Sequence, residues 1–498
     1  MFLNNILKLC KTNHLVENFR NKLISGIAIN SKVVRKNFIF GAIKGNSLNG
    51  EIFINSLLKL SSIVVVIESK SKIMLDFKQH KNITIIRTSN VRMFIAEIAS
   101  IFYPNSIREK IAITGTNGKS SIVNYTKQLW NLKKINNGSL GTLGGFLNNK
   151  KIKDLSLTTP DPVVLNQTLN ILSKKKCKKV ILEASSIGLD QGRLHPIKFK
   201  KVVFTNLTRD HLDYHQTLTR YKNAKLILFE KHTTRSSQVI LNTDDKHSNF
   251  FLNFCRQKKL EVLDFGKKAG FLKIISIERR KDSFSVRISL RGKLYIIDFD
   301  CLSIFEIYNM ICCLIIVFGK NIKHKDFQIL RKLKQPPGRL ENIYCKKRIK
   351  VFVDYAHTPD ALENVLDSLK RISTRNLLVV FGCGGERDKT KRNLMTKCAI
   401  DYADKIILTE DNPRNENPLK IFDDMVLGIQ KKDFKKIKII RNRKKAIKFS
   451  VDALGENDIL LIAGKGHENY QIIKNKKTIF NDKDVALEFL RKRHALES

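Results

Sequence analysis

The chain has 498 residues, 42% of them hydrophobic and 28% charged, and 92 Lys and Arg outweigh 46 Asp and Glu to give a formal net charge of +46. That length predicts about three domains, each able to bury its own core, and the composition argues for a globular chain rather than a disordered or fibrous one. Nine cysteines, with no C-x-x-C pair and only Cys312 and Cys313 adjacent, argue against a disulfide framework or a thiolate zinc site.

The charge alone would suggest a nucleic-acid partner through phosphate neutralisation. Lys is nevertheless spread over the whole chain beside abundant Asn and Ile. Short runs such as 174–176 and 431–436 read as solvated faces, and no RNP, zinc-finger or basic-zipper pattern accompanies them. No specific nucleic-acid partner is expected, although the positive field favours anionic substrates. The longest apolar run, Met310 to Phe318, is about half of the roughly 18 residues a membrane span needs. The N-terminal MFLNNILKLCKTNH lacks a signal pattern. The expectation is a cytoplasmic protein with no membrane insertion.

In chain order, SSIVVVIES (61–69) and NITIIRTS (82–89) are β-like runs among helical stretches, which predicts a small α/β domain over 1–106. From Lys110 the pattern runs strand, Gly-rich loop and helix, then β-like runs at Lys179–Glu183 and Lys201–Asn206 that end in polar or charged residues. This is the pattern of a parallel sheet with chemistry at the C-terminal ends of its strands, and it predicts a second domain over 107–335. QPPGR at 335–339 punctuates the chain as a linker. Beyond it IKVFVDYA, NLLVVFGCGG, KIILTEDNP and DILLIAGKGH alternate with helical segments, predicting a third α/β domain over 336–498.

The sharpest motif is Thr114-Gly115-Thr116-Asn117-Gly118-Lys119-Ser120-Ser121, between a strand and a helix. Such a loop wraps backbone N–H groups around a polyphosphate at a helix N-terminus, with Lys119 as a mobile charge and Ser120 as a magnesium ligand. It departs from G-x-x-x-x-G-K-[ST] because Ile113 stands at the first glycine position.

Further segments follow in order: TTPDP (158–162), EASSIGLDQGR (183–193), TNLTRDHLDYH (205–215), YKNAK (221–225), DYAHTPDALE (354–363), GCGGERDKTKR (382–392), DNPR (411–414) and AGKGHE (463–468). Together with TGTNGKS they resemble the Mur ligases over nearly the full length, and in particular the branch that forms UDP-MurNAc-tripeptide. The resemblance implies three α/β domains: a uridine-binding domain, a central P-loop-type ATPase domain and a Rossmann-like C-terminal domain. It implies a monomer acting on ATP, UDP-MurNAc-L-Ala-D-Glu and meso-diaminopimelate. Forming an amide from a carboxylate requires ATP to convert it to an acyl phosphate, which an amine then attacks. Mg²⁺ and cationic side chains must compensate the anionic groups so assembled.

By resemblance, Gly115, Thr116, Asn117, Gly118, Lys119, Ser120 and Ser121 hold the ATP phosphates, with Asn309 and Arg339 as further adenine and phosphate contacts. Glu183 would ligate one Mg²⁺ with Ser120, and His211 a second. An ammonium cannot bind a metal, but the family lysine matching Lys225 is carbamylated, which makes it an oxygen ligand. Asp354 and His357 would orient the nucleotide and the reacting groups. Ser31, Thr158, Thr159, Ser185, Gln191 and Arg193 match positions around the UDP-MurNAc-dipeptide, where Arg193 offers a forked donor.

Substrate choice would rest on Arg387, Asp411, Asn412, Pro413, Arg414, Gly464 and Glu468. Meso-diaminopimelate carries a second carboxylate and amine at its far end, which a guanidinium at Arg414 and the carboxylate of Glu468 can receive. Lysine would leave Arg414 unpaired, at roughly 1–3 kcal/mol per buried unsatisfied group. The chain departs from the family pattern at several points. Asn30 precedes Ser31 where Asp is usual, Gly45-Asn46-Ser47 stands where Gly-His is common, Ile187 replaces a His, and Glu306 replaces an Asn. Two alternatives accompany this reading: a superfamily ligase of another specificity, such as a lysine-adding, D-Ala-D-Ala-adding or folate-polyglutamylating one, and a degenerate, non-catalytic scaffold or nucleic-acid-binding descendant.

Overall fold

The structure, a computed structural model, describes residues 1–45, 48–60, 62–280, 283–346, 348–474 and 476–497, with side chains to 493. Asn46 and Ser47 lie outside the described residues.

Three large sheets organise the chain, each with apolar clusters on both faces. The first runs in the order His14–Glu17, Ile83–Thr88, Ile63–Glu68, Phe38–Gly41, Gly26–Ala28. It is antiparallel at the His14 edge and parallel elsewhere. The strand Ile63–Glu68 is β-branched and buried from Ile63 to Ile67 because helices and loops cover both its faces. Asn90 caps the helix Val91–Phe102, accepting from the Met93 N–H at 3.0 Å. The helix buries Val91, Phe94, Ile95 and Ile98 at helical spacing. It also abuts the helix Pro162–Lys174, whose Val163 belongs to the same apolar cluster, so the first sheet is seated on the second.

The second sheet has a parallel centre formed by Asn137–Gly141, Lys179–Glu183, Glu109–Thr114, Lys201–Phe204, Gln238–Asn242 and Glu261–Gly266. Antiparallel wings flank it: Gly144–Leu147 and Lys150–Lys153 on one side, and Leu272–Arg279, Phe284–Leu290 and Lys293–Phe299 on the other. The strand readings at 110–114, 179–183 and 201–206 coincide with central strands. The wings gave no comparable signal, because their residues alternate buried and exposed instead of forming apolar runs.

The helix Ile304–Phe318 corrects the reading of apolar run length. With its following turn it forms the segment Ile304–Asn321, long and apolar enough by length and composition to cross a membrane. In the fold this helix packs on Lys119–Leu132, with Ile307, Ile311, Leu314 and Ile315 wholly buried in the central cluster. Its apolarity serves that core.

The third sheet runs Glu341–Lys346, Ile349–Asp354, Ile459–Ala463, Leu377–Phe381, Lys405–Leu408, Ile437–Ile439, parallel except at its first pair. A separate hairpin, Tyr470–Ile473 with Lys476–Ile479, follows it. Arg443 and Asp482 form a fully buried pair at 2.7 Å, and the same guanidinium donates to the Ala463 carbonyl at 2.8 Å. That contact fixes the strand end from which Gly464 departs.

His232 makes acid stability testable. It is 3% exposed and its Nδ1 lies 2.8 Å from the Ile197 carbonyl; burial disfavours the imidazolium and lowers its pKa to about 4. The unfolded chain takes up this proton near pH 6.5 and the folded chain only near 4. Stability present above pH 6.5 is therefore lost as pH falls toward 4, on the order of 2–3 kcal/mol from this group. Thermal unfolding should shift downward over that window, with a shallower slope in His232→Gln; an unchanged slope would refute the assignment.

Candidate active site

The phosphate loop lies between the strand Glu109–Thr114 and the helix Lys119–Leu132. Gly118 has φ +88°, and a Cβ there would come 2.6 Å from Asn309 Oδ1. Asn309, on the helix Ile304–Phe318, thus lies directly against the loop, where sequence reading placed a nucleotide contact. Lys119 is half-buried and donates to the Gly115 and Thr116 carbonyls, each at 2.8 Å. Burial lowers its pKa, while Glu183 and Asp210 oppose that shift. Ser121 is buried in the first turn of the helix.

Ser120 Oγ donates to Glu183 Oε2 at 2.9 Å, and the Thr142 N–H donates to Glu183 Oε1 at 2.8 Å. Arg339, from beyond the linker, donates to Ser120 Oγ at 3.1 Å and lies over the Tyr355 ring at 4.6 Å. Its buried Nε has no partner among the described residues, so the guanidinium has a donor to spare for an anion. Glu183 and Ser120 are adjacent hard oxygen donors of the kind Mg²⁺ takes together with water and phosphate oxygens. Among the described residues, no group of three or more His, Cys, Asp or Glu side chains forms a ready-made metal cage.

His211 has φ +54° and sits at the start of the short helix Leu212–His215. Its Nε2 is 3.5 Å from Asp210 Oδ2, and burial lowers its pKa to about 4 against the pull of Asp210, leaving a neutral imidazole. Lys225 is 1% exposed, with Nζ 4.2 Å from the centre of the Tyr221 ring. Burial, and then the charge of Lys119, hold its pKa well below the usual amine range. Tyr221 OH in turn lies 3.1 Å from Thr116 Oγ1 in the phosphate loop. The helix Leu218–Lys231 places Tyr221 one turn before Lys225, so both face the loop.

Across the cleft, Asp354 ends the strand Ile349–Asp354, and its oxygens accept from the Leu340 N–H at 2.5 Å and the Ala356 N–H at 2.6 Å. Burial raises its pKa to about 6 although Arg339 opposes the shift. Its engaged oxygens hold the turn beside Arg339. His357 Nδ1 is 2.7 Å from the Tyr355 carbonyl, and burial brings its pKa down to about 4. The two halves of the cleft are also joined directly. Asn117 Nδ2 donates to Asp360 at 2.7 Å, Arg209 pairs with Asp388 at 3.6 Å, and Arg387 lies 3.8 Å from Asp213.

Thr158, Thr159, Ser185, Gln191 and Arg193 form one cluster beside Glu183. Thr159 Oγ1 donates to the Glu183 carbonyl at 2.8 Å and lies 3.0 Å from Ser185 Oγ, while Thr158 and Thr142 hydroxyls are 3.1 Å apart. Arg193 donates to the Thr159 carbonyl at 2.7 Å and to Gln191 Oε1 at 2.7 Å. Ser31 is set apart on the first sheet's body, opening the turn Ser31–Val33. Asn30 caps that turn through the Lys32 N–H at 3.0 Å, a role Asp fills equally well. Ile187 lies on the short helix Ser186–Asp190 that Ser185 caps. Glu306 caps its own helix, accepting from the Leu302 and Ser303 N–H groups at 3.1 Å each; burial raises its pKa to about 7. At this position the carboxylate is committed to the capping box of the helix that carries Asn309.

The remaining group converges at the C-terminal ends of the third sheet. Arg414 has φ +53°, its NH1 donates to the Gly385 carbonyl at 2.6 Å, and its backbone is bonded to Ile472 and Lys474 of the hairpin segment. Gly464 has φ +109°, and a Cβ there would come 2.9 Å from Asp411 Oδ2. Asn412 Nδ2 donates to Glu468 Oε2 at 3.1 Å. Pro413 and Gly385 pack backbone to backbone, since a Cβ on Gly385 would meet the Pro413 carbonyl at 2.0 Å. Burial, and then the nearby charge of Arg387, lower the pKa of Arg414.

Sequence reading missed Thr142, Tyr221, Asp360 and Lys465. Tyr221, Asp360 and Lys465 lie inside quoted motifs, and only their partners in the fold reveal what they touch. Thr142 lies just past the strand Asn137–Gly141, in a segment with no motif.

A phosphate loop, paired hard-oxygen donors and a recess of opposed charges around one cleft define an enzyme that uses a nucleotide to join anionic substrates. A family model described as the Mur ligase middle domain matches residues 113–317, and one described as the Mur ligase, glutamate ligase domain matches 338–466. The UDP-N-acetylmuramoyl-L-alanyl-D-glutamate--2,6-diaminopimelate ligase of Rickettsia montanensis is 38% identical over 480 residues, covering 95% of this chain and 97% of its own. The Aquifex aeolicus protein of that name is 37% identical, covering 94% of each chain. A solved structure of a ligase of the same name aligns with a TM-score of 0.62 at 30% identity over 95% of both chains. The MurF ligase of Thermotoga maritima in complex with ADP shares the fold, with a TM-score of 0.60 at 17% identity over 95% of this chain and 98% of its own. The chain belongs to the Mur ligase family.

Proposed function

We infer that the chain is an ATP-dependent amide-bond ligase. It adds meso-2,6-diaminopimelate to the γ-carboxylate of D-glutamate in UDP-MurNAc-L-Ala-D-Glu, giving UDP-MurNAc-tripeptide, ADP and phosphate. The relatives named above, similar over nearly their full length, support this reading. The observation that carries the specificity is the placement of Arg414, Asp411, Asn412 and Glu468 with Gly464 at the C-terminal ends of the third sheet's strands, the ends at which Asp354 also lies. The three sheets and the docking of Gln335 on Tyr125 at 3.1 Å support domains over 1–106, 107–335 and 336–498.

In this reading Gly115 to Ser121 and Lys119 cradle the triphosphate, while Asn309 and Arg339 complete the nucleotide site. Thr158, Thr159, Ser185, Gln191 and Arg193 hold the muramoyl peptide, with Ser31 on the uridine side. A carboxylate oxygen attacks the γ-phosphorus as the bond to ADP breaks, and the amine then attacks the acyl carbon and expels phosphate. Lys119 and Arg339 stabilise charge on the transferring group. Ser120, Glu183, His211 and Lys225 as its carbamate would hold Mg²⁺, which supplies Lewis-acid polarisation of the phosphoryl oxygens. Asp354 and His357 orient the nucleotide side of the cleft. Arg387 and Arg414 receive the distal carboxylate and Glu468 the distal ammonium.

Purified protein should release phosphate from ATP only when UDP-MurNAc-L-Ala-D-Glu and meso-diaminopimelate are both present. Equal turnover with L-lysine would overturn the specificity. No turnover, together with tight salt-sensitive RNA binding, would overturn the enzymatic reading.

A further inference from the structure

One charged side chain at the amino-acid recess has no role in the scheme above. Lys465 follows Gly464, and its side chain is 0% exposed, so it cannot itself touch a ligand. Its Nζ lies 2.9 Å from Glu468 Oε2 and 3.2 Å from Asn412 Oδ1. Asn412 closes the triangle through Nδ2 to the same Glu468 oxygen at 3.1 Å. The Asn412 amide oxygen also accepts from the Ile472 N–H at 2.9 Å, which ties the triangle to the hairpin that pairs with Arg414. A buried ammonium persists only where partners compensate it, and here both partners are residues of the recess.

We propose that Lys465 is the specificity-determining positioning residue of this recess: it and Asn412 occupy Glu468 Oε2, so that Glu468 offers Oε1 to the substrate's distal ammonium in one fixed direction. Among the described residues, Oε1 has only a long contact with the Tyr470 hydroxyl, at 3.5 Å. The fixed direction matters because meso-diaminopimelate differs from its LL isomer only in how carboxylate and ammonium are disposed about one distal carbon. With Arg414 holding the carboxylate, a single directed acceptor distinguishes the two; a carboxylate free to rotate would not. The inference rests on the assignment of Arg414 and Glu468 to the distal end of diaminopimelate.

The test uses the full-length enzyme with ATP and UDP-MurNAc-L-Ala-D-Glu, reading phosphate release with meso-diaminopimelate, LL-diaminopimelate and L-lysine as separate probes. Wild type comes first: if it does not prefer meso-diaminopimelate, the underlying assignment fails whatever Lys465 does. Given that preference, Lys465→Met should raise KM for meso-diaminopimelate roughly 10- to 100-fold and shrink the meso over LL ratio about as much, with KM for ATP changed less than about threefold. Lys465→Gln, which keeps a donor without the charge, should fall between the two and gives the same readout if the Met variant does not fold. A loss of kcat or thermal stability with the meso over LL ratio unchanged would reduce Lys465 to a structural residue and overturn the proposal.

Discussion

Lys225→Ala should lower kcat by roughly 10²- to 10³-fold, the usual effect of removing one electrostatic participant at a reacting centre, and a short-chain carboxylate such as acetate should restore part of the loss. The argument begins with burial. At 1% exposed, over the Tyr221 ring and beside Lys119, the Lys225 amine is held well below its usual pKa, which favours the neutral form. A neutral amine is the form that attacks CO2: the Nζ–C bond forms, one C=O pair moves onto oxygen, and the ammonium proton leaves to solvent. The product is an anion where a cation would repel Lys119. Added carboxylate can occupy the space vacated in the Ala variant and supply the missing oxygens. A ¹³C carbamate resonance from enzyme equilibrated with labelled bicarbonate should be present in wild type and absent in the variant. Untouched activity, or no such resonance, would remove Lys225 from the metal-ligand set.

The second large effect is expected at Lys119. Its ammonium is bonded to the Gly115 and Thr116 carbonyls, a fold-back onto its own loop that phosphate oxygens can replace at short range. Lys119→Ala should reduce kcat/KM for ATP by about 10²–10³-fold or more. Binding of UDP-MurNAc-L-Ala-D-Glu, which the proposed function assigns to the Thr159 and Arg193 cluster instead, should stay within about threefold in calorimetry. ATP kinetics within threefold of wild type would show that the loop holds phosphates by backbone N–H groups alone.

Much of this site was legible in the chain because its chemistry is concentrated in short contiguous segments. A strand ending at Thr114 and a Gly-Lys-Ser turn opening a helix can hardly form anything but a phosphate loop, since local backbone geometry determines it. The continuous apolar runs at 63–67, 377–381 and 459–463 likewise declared buried parallel strands. Segments with weaker local signals were not legible. The antiparallel wings of the central sheet alternate in burial, and Ile304–Phe318 shows an apolarity whose purpose only its packing on Lys119–Leu132 reveals.

By itself, then, the sequence determined the Gly-rich turn between strand and helix at 114–121 and the parallel strands of the sheets, because each depends on neighbours in the chain. Tertiary structure decided what depends on pairs far apart. It brought Arg339 to Ser120 and Asp360 to Asn117, and buried Lys225 against the Tyr221 ring, where its pKa is lowered. It also turned Lys465 from one more lysine in a strongly basic chain into a buried cation held by Asn412 and Glu468. The physical reason is the same in each case: burial and partner distance set the charge state and orientation of a side chain, and neither is a property of the sequence around it.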